Sequence, residues 1–73
     1  MIVYIQKNGK ETEFANVRVG NEIVVDGERY TFEEPDDEKY ALVDGQGNEV
    51  DTSYIEGSIN GGDNYLSFKI PTN

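Results

Sequence analysis

The stretch that decides the fold class of this 73-residue chain is Ile23-Val24-Val25-Asp26-Gly27-Glu28-Arg29-Tyr30-Thr31-Phe32. Two runs rich in β-branched and aromatic residues flank Asp26-Gly27, a dipeptide that favours the tight turn of a two-residue β-hairpin. Alternation along the second run predicts that Tyr30 and Phe32 face the core. Elsewhere in the chain, no window of about 11 residues carries the apolar stripe of an amphipathic helix. The sequence therefore predicts an all-β protein.

Toward the N-terminus, residues 2–6 form a run that is apolar on both faces, as expected of a central strand covered on two sides. Asn8-Gly9 follows this run and predicts a second tight hairpin. In its return strand, residues 10–14, Thr12 and Phe14 occupy one face and two glutamates the other. The N-terminal part of the chain is therefore predicted to begin with a hairpin.

Beyond the deciding stretch, residues 33–38 read Glu-Glu-Pro-Asp-Asp-Glu. We expect Pro35 to break the strand and this segment to form an exposed acidic loop, because proline cannot donate to a ladder and a core does not accept such charge. Residues 40–43 and 49–52 predict a third hairpin around a glycine-rich turn, with Val50 and Thr52 on one face.

The C-terminal third leaves one choice open. Residues 53–56 match a helix capping box that Gly57 would end, yet they also fit the continuation of a strand. Residues 60–64 predict a flexible turn. Residues 65–70 then alternate cleanly as a last strand before Pro71, with Leu66, Phe68 and Ile70 directed inward.

Six or seven short strands spaced by about 8 to 12 residues fit one β domain over residues 1–73, either a small antiparallel barrel of the SH3-like kind or a two-layer β-sandwich. The chain has no Cys, His or Trp, which excludes a disulfide and the usual ligands of zinc, copper and iron. We expect no cofactor. Without an apolar stretch of about 20 residues or a basic-flanked signal segment, the protein is predicted to be cytoplasmic.

Charge is the most distinctive property of the sequence. The chain has fifteen Asp and Glu residues and six Lys and Arg residues, which gives a net charge of −9. Residues 1–32 carry five acids and four bases, whereas residues 33–56 carry nine acids and only Lys39. Such a field disfavours direct binding to nucleic acid or an anionic membrane and favours a basic protein surface as partner.

Catalytic and metal-binding interpretations find little support. Many carboxylates are present, but a chain this short scarcely builds the cleft that paired acids need for glycoside hydrolysis, and no activated nucleophile is evident. The Asp44–Asp51 segment places oxygen side chains at alternate positions, yet Glu49 and Ile55 stand where an EF-hand needs Gly and Glu. Gly61-Gly62 lacks the Lys and following helix of a phosphate loop. We therefore predict a protein that is not an enzyme.

The favoured hypothesis is a carboxylate display on a stiff β surface. Glu49 and Asp51 are expected on one face of a strand, and one or two of Tyr40, Tyr54 and Tyr65 are expected to be exposed as interface anchors. Carboxylates accept the bidentate arginine bonds that phosphates accept. The predicted function is thus an inhibitor that blocks the basic groove of a nuclease or another nucleic-acid-binding protein. The predicted partner-binding residues are Glu33, Glu34, Asp36, Asp37, Glu38, Tyr40, Glu49, Asp51, Tyr54 and Glu56.

In size and charge the chain resembles the DNA-mimic inhibitors that phages direct against restriction or CRISPR nucleases. That resemblance implies competition with nucleic acid for a cationic groove. The alternative is a non-catalytic scaffold or assembly module, for example a phage structural or adaptor subunit that pairs its sheet edges with a partner strand. The oligomeric state and the identity of the partner are left open.

Overall fold

The computed structural model describes residues 1–59 and 61–71, and these form eight β-strands. No helix in this part of the chain is long and apolar enough to cross a membrane. Of the two alternatives for residues 53–56, a helical turn or a continued strand, the structure shows the strand. It continues to residue 54, and a further strand begins at residue 57. The strands are β1 (Ile2–Lys7), β2 (Lys10–Phe14), β3 (Glu22–Val25), β4 (Glu28–Asp36), β5 (Lys39–Val43), β6 (Glu49–Tyr54), β7 (Gly57–Ile59) and β8 (Asp63–Lys69).

Two four-stranded sheets make up the fold, with the strand orders β2-β1-β8-β7 and β3-β4-β5-β6. The all-β prediction is confirmed, and the sandwich describes the architecture better than the SH3-like barrel because the strands divide between two sheets. The short strand β7 brings the number to eight instead of six or seven. Neighbouring strands are antiparallel except for β1 and β8, which run parallel with Val3 opposite Leu66 and Ile5 opposite Phe68.

Both predicted hairpins with two-residue turns are confirmed. Asn8 and Gly9 have φ values of 54° and 73°, and Asp26 and Gly27 have φ values of 51° and 79°. Positive φ at both central positions is the geometry that matches the right-handed twist of the flanking strands, and Asn, Asp and Gly are the residues that adopt it at least cost. Each turn therefore fixes the register of the hairpin it closes.

The core lies between the sheets and is centred on aromatic side chains. The ring of Phe32 stacks on Tyr40 with centroids 5.3 Å apart and meets Phe68 of the other sheet edge-on at 6.1 Å. Offset-stacked and edge-to-face pairs of this kind add to the stabilisation from burial alone. The side chains predicted to face inward from β4 and from residues 65–70 are all buried, namely Tyr30, Phe32, Leu66, Phe68 and Ile70.

The prediction of a loop at residues 33–38 is wrong, since β4 continues through Pro35 to Asp36. The pairing of β3 with β4 ends at Thr31, and the register between β4 and β5 shifts between Glu33 and Asp36. The proline thus lies in an overhanging part of the strand, at an irregularity where a missing N–H donor costs little. The acidic segment consequently forms the end of a fourth hairpin, whose turn is Asp37 and Glu38.

The two long sides of the sandwich differ. On one side β6 lies against β8, and the Asp51 carboxylate accepts a hydrogen bond from the backbone N–H of Lys69 at 2.7 Å. On the other side the edge strands β2 and β3 flank a cleft of about 570 Å³. The sandwich is therefore closed along β6 and β8 and open between β2 and β3.

Candidate functional site

The hairpin between β4 and β5 ends in four exposed carboxylates, which we term the acidic tip. The Asp36 carboxylate accepts a hydrogen bond from the N–H of Asp37 at 2.8 Å, and the Glu34 carboxylate accepts one from the N–H of Glu38 at 3.1 Å. Side-chain bonds of this kind hold the turn in one conformation. The acidic tip comprises Glu34, Asp36, Asp37 and Glu38.

The carboxylates of the acidic tip make no ion pair in the described part of the chain. The ion pairs there join Lys7 to Glu28 at 3.1 Å and Arg29 to Glu22 at 3.5 Å, both away from the tip. Lys39 is opposite Asp36 in the strand register, yet the two side chains make no ion pair. The negative charge of the acidic tip is therefore directed to solvent.

Tyr40 packs beneath the acidic tip with its ring in the core. Burial raises the pKa of the Tyr40 phenol, and the carboxylates of Glu34, Glu38 and Asp37 raise it further. The Tyr40 side chain is only 7% exposed. The expectation that Tyr40 is an exposed aromatic anchor is therefore wrong. Its position in the core follows from the alternation of β5, in which Tyr40 and Leu42 share the inward face.

Tyr54 is the exposed tyrosine beside the acidic tip. Its side chain is 62% exposed, and it lies opposite Lys39, which in turn lies opposite Asp36. Two strand spacings separate Tyr54 from Asp36, a distance of about 10 Å. Tyr65 is half-buried and meets Tyr4 edge-on at 6.0 Å. The expectation of one or two exposed tyrosines is confirmed by Tyr54.

Glu49 and Asp51 do not share a face, contrary to the sequence-based expectation. Opposite β5, Val43 pairs with Glu49 and Leu42 with Asp51, so Val50 is an extra residue in β6. This bulge places Glu49 beside Val43 on the outer face and turns Asp51 toward the core side, where it bonds to Lys69. The prediction that Val50 and Thr52 share one face of the strand is wrong for the same reason. Val50 packs against the core, whereas Thr52 is exposed.

The other two predicted acids lie apart from each other. Glu33 is half-buried on the outer face of its sheet, opposite Ala41. Glu56 is exposed in the connection between β6 and β7, where its backbone N–H donates to the Tyr65 carbonyl at 2.9 Å. The structure thus brings four of the eight predicted acids together in the acidic tip, with Glu33 preceding it on the same strand.

The segment after β5, which resembled a calcium loop in part, is a hydrogen-bonded turn. The Asp44 carboxylate accepts the N–H groups of Asn48 and Gln46, both at 2.9 Å, and these bonds lower the pKa of Asp44. Within residues 1–59 and 61–71, no group of three or more acidic side chains is arranged to hold a metal ion. Both of these bonds are accepted by Oδ1 of Asp44, so one of its two carboxylate oxygens is engaged by the backbone.

Sequence reasoning missed the cleft between β2 and β3. The cleft is lined by residues from the end of β2 to the middle of β3, including Phe14, Val17 and Ile23. The signal for it in the sequence is the apolar run at residues 23–25. In the structure Val24 of this run is 52% exposed, whereas Ile23 and Val25 are buried. In the described part of the chain β3 ends its sheet and pairs only with β4, so its other edge has unused pairing capacity.

Comparison of the chain with protein-family models, curated proteins and solved structures gives no match. Function is therefore inferred from the residues themselves. Two surfaces of the described chain stand out: the acidic tip with Tyr54 beside it, and the open side between β2 and β3.

Proposed function

We propose that this protein is a non-catalytic binding domain that inserts its acidic tip into the basic groove of a nucleic-acid-binding protein. The observation that carries the proposal is a cluster of four exposed carboxylates on one hydrogen-bonded turn, which make no ion pair within residues 1–59 and 61–71. A groove built for phosphates is lined by Arg and Lys, and these side chains bind carboxylates in the same bidentate manner. Occupation of the groove by the tip would exclude nucleic acid and inhibit the partner.

Long-range charge supports the same proposal. The net charge of −9 comes almost entirely from residues 33–56, the part of the chain that contains the acidic tip. A field of one sign accelerates encounter with an oppositely charged cleft, and this acceleration is screened by salt. Association with the partner is therefore expected to be fast and strongly dependent on ionic strength.

Tyr54 supplies the contact that charge alone does not. Tyrosine is enriched at binding hot spots because its ring buries a large area while its hydroxyl bonds to polar groups. Tyr54 is exposed at the end of β6, on the outer face and about 10 Å from Asp36 across two strand spacings. In the proposed complex the acidic tip enters the groove and the Tyr54 ring packs against its wall.

The contact is narrower than a full acidic face. The Asp51 carboxylate already accepts a hydrogen bond from the backbone N–H of Lys69. Glu49 lies at the other end of β6 from Tyr54, about 17 Å away. These acids contribute to the long-range field and not to the groove contact. Restriction or CRISPR nucleases are the class of target we propose, which places the action of the protein in the cytoplasm.

The test is displacement of a fluorescent DNA duplex from purified nucleases with known basic grooves, measured by anisotropy at low and high salt. The variant Asp36→Lys, Asp37→Lys, Glu38→Lys reverses the charge of the acidic tip. The matched control Glu11→Lys, Glu13→Lys, Asp63→Lys makes the same change in net charge elsewhere. We expect the native protein and the control to displace the duplex from at least one nuclease, and the tip variant to fail.

Two results would overturn the proposal. The first is displacement by the tip variant as strong as that by the control, since net charge alone would then account for binding. The second is no displacement from any nuclease at low salt. Tyr54→Ala adds a further check. Loss of an anchor side chain should raise the dissociation rate of the complex while leaving the salt-dependent association rate nearly unchanged.

A further inference from the structure

The open side of the sandwich presents two edge strands with free pairing capacity. In the described part of the chain, β2 pairs only with β1, and β3 pairs only with β4. Between them lies the cleft of about 570 Å³, whose floor includes Phe14, Val17 and Ile23. The opposite side differs, since β6 lies against β8 there.

Within residues 1–59 and 61–71, backbone N–H and C=O groups of β3 that take part in no strand pairing point into this open side. Val25 and Glu28 flank a two-residue turn and therefore form a hydrogen-bonded pair. Alternation then directs the N–H and C=O groups of Glu22 and Val24 away from β4. The bond from the Phe32 N–H to the Asn21 carbonyl, at 2.9 Å, agrees with this alternation.

The side chains along β3 define what a neighbouring strand would meet. Ile23 and Val25 are buried and face the core, whereas Val24 is 52% exposed on the outer face. Glu22 shares that outer face with Val24, and its carboxylate oxygen Oε1 lies 3.5 Å from Nη1 of Arg29, an exposed ion pair. A neighbouring strand would therefore find apolar surface on its inner side and both an apolar and an anionic contact on its outer side.

We propose that the free edge of β3 binds an extended, basic peptide strand from a partner protein. Extended backbone is required because the N–H and C=O groups of Glu22 and Val24 are spaced for a β-ladder. Apolar side chains on one face of the peptide would fill the cleft over Phe14 and Val17. On its other face a Lys or Arg would lie opposite Glu22, an arrangement that stabilises cross-strand pairs.

Charge selects a basic peptide over a second copy of this chain. Two copies would bring together two bodies of net charge −9, each with Glu22 at the contact. Like charges across neighbouring strands are destabilising, and the wider fields also repel. The rim formed by β2 carries a further carboxylate, Glu13, which favours a cationic occupant from the opposite side of the cleft.

The test uses a synthetic peptide of about seven residues that alternates valine and lysine, with a valine–glutamate peptide for comparison. Binding is followed by amide shifts and hydrogen exchange in NMR spectra of the full chain. We expect the lysine peptide to protect the Glu22 and Val24 amides, and the glutamate peptide to have no effect. Val24→Pro removes an outward N–H and should weaken binding by about tenfold, the value of one lost hydrogen bond.

Glu11→Pro is the matched control, because it removes an outward N–H from β2 and leaves the β3 edge intact. It should bind the lysine peptide as the native chain does. If Val24→Pro does not fold, Glu22→Lys replaces it and should shift preference toward the glutamate peptide. Shifts centred on the acidic tip, equal effects of the two proline variants, or no effect of Glu22→Lys would each overturn the proposal.

Self-association gives a separate outcome. A mass that rises with protein concentration and falls in Val24→Pro would show that a second copy occupies the edge, and the basic-peptide proposal would be wrong. The variants used here leave the four residues of the acidic tip unchanged. Failure of strand pairing would therefore leave the proposed groove-binding function unaffected, and failure of the groove-binding test would leave strand pairing unaffected.

Discussion

The carboxylate of Asp51 accepts the backbone N–H of Lys69 at 2.7 Å and so joins the edge of one sheet to the last strand of the other. In the part of the chain that the structure describes, β8 is paired with β7 only from Asp63 to Tyr65, so the Lys69 N–H on that side has no strand partner there. Asp51 takes the place of that partner. The bulge at Val50 is what aims its carboxylate inward.

Replacement of Asp51 by Ala should lower the free energy of unfolding by about 1–3 kcal/mol, because a hydrogen bond to a charged acceptor is lost. Asp51→Asn keeps an acceptor oxygen and should recover most of the loss. Urea denaturation measures both. Glu49→Ala is the control for removal of a β6 carboxylate, and an equal loss in that variant would show that the bond to Lys69 contributes nothing.

The turn of the acidic tip contains a strained residue, since Glu38 has a φ of 59°. Glycine adopts this conformation without the Cβ clash, so Glu38→Gly should be more stable than Glu38→Ala by about 1 kcal/mol. Both variants lose the same charge, which isolates the backbone effect. Equal midpoints in urea for the two variants would contradict the left-handed conformation of residue 38.

The Asp44 turn should make stability depend on pH in the acid range. Hydrogen bonds from Asn48 and Gln46 lower the pKa of Asp44 in the folded chain, so the ionised form is favoured by folding. This stabilisation is present above the unfolded pKa of about 4 and is lost as pH falls through the lower folded pKa. Asp44→Asn keeps the acceptor but does not titrate.

The measurement is urea unfolding at several values between about pH 5 and pH 2. The difference in stability between the native chain and Asp44→Asn should shift in favour of the variant as pH falls. A difference that stays constant over this range would show that the Asp44 carboxyl titrates alike in the folded and unfolded chains.

Gly57 lies directly under the ring of Tyr65, its partner across β7 and β8. A Cβ at residue 57 would come within 2.9 Å of the Tyr65 ring carbon Cε1. Gly57→Ala should therefore cost about 1–3 kcal/mol through overpacking. The same substitution in a Tyr65→Ala background should cost much less, and an undiminished cost there would assign the effect to the backbone.

Sequence patterns predicted the elements that depend on local chemistry. Asn8-Gly9 and Asp26-Gly27 predicted their hairpins because positive φ at two consecutive positions is open to few residues. Phe32 and Phe68 were predicted as core residues because alternation fixes the face of a strand. These inferences need no knowledge of what lies across the sheet.

Features that depend on distant partners were not predictable in the same way. Pro35 reads as a strand breaker, and only the early end of the β3 pairing leaves its position free of a required donor. The bulge at Val50 changes the face of Asp51 without any glycine or proline to announce it. The unpaired edge of β3 exists because β2 belongs to the other sheet, which no local pattern encodes.

The parallel pairing of β1 with β8 has a consequence for biosynthesis. Ile2 lies beside Tyr65 and Gln6 beside Lys69, so the innermost ladder of one sheet joins segments more than sixty residues apart. Such non-local contacts slow folding, because a large loop must close before they form. A nascent chain emerging from the ribosome can form the hairpins one after another, but the ladder between β1 and β8 forms only once β8 has been translated and has left the ribosome.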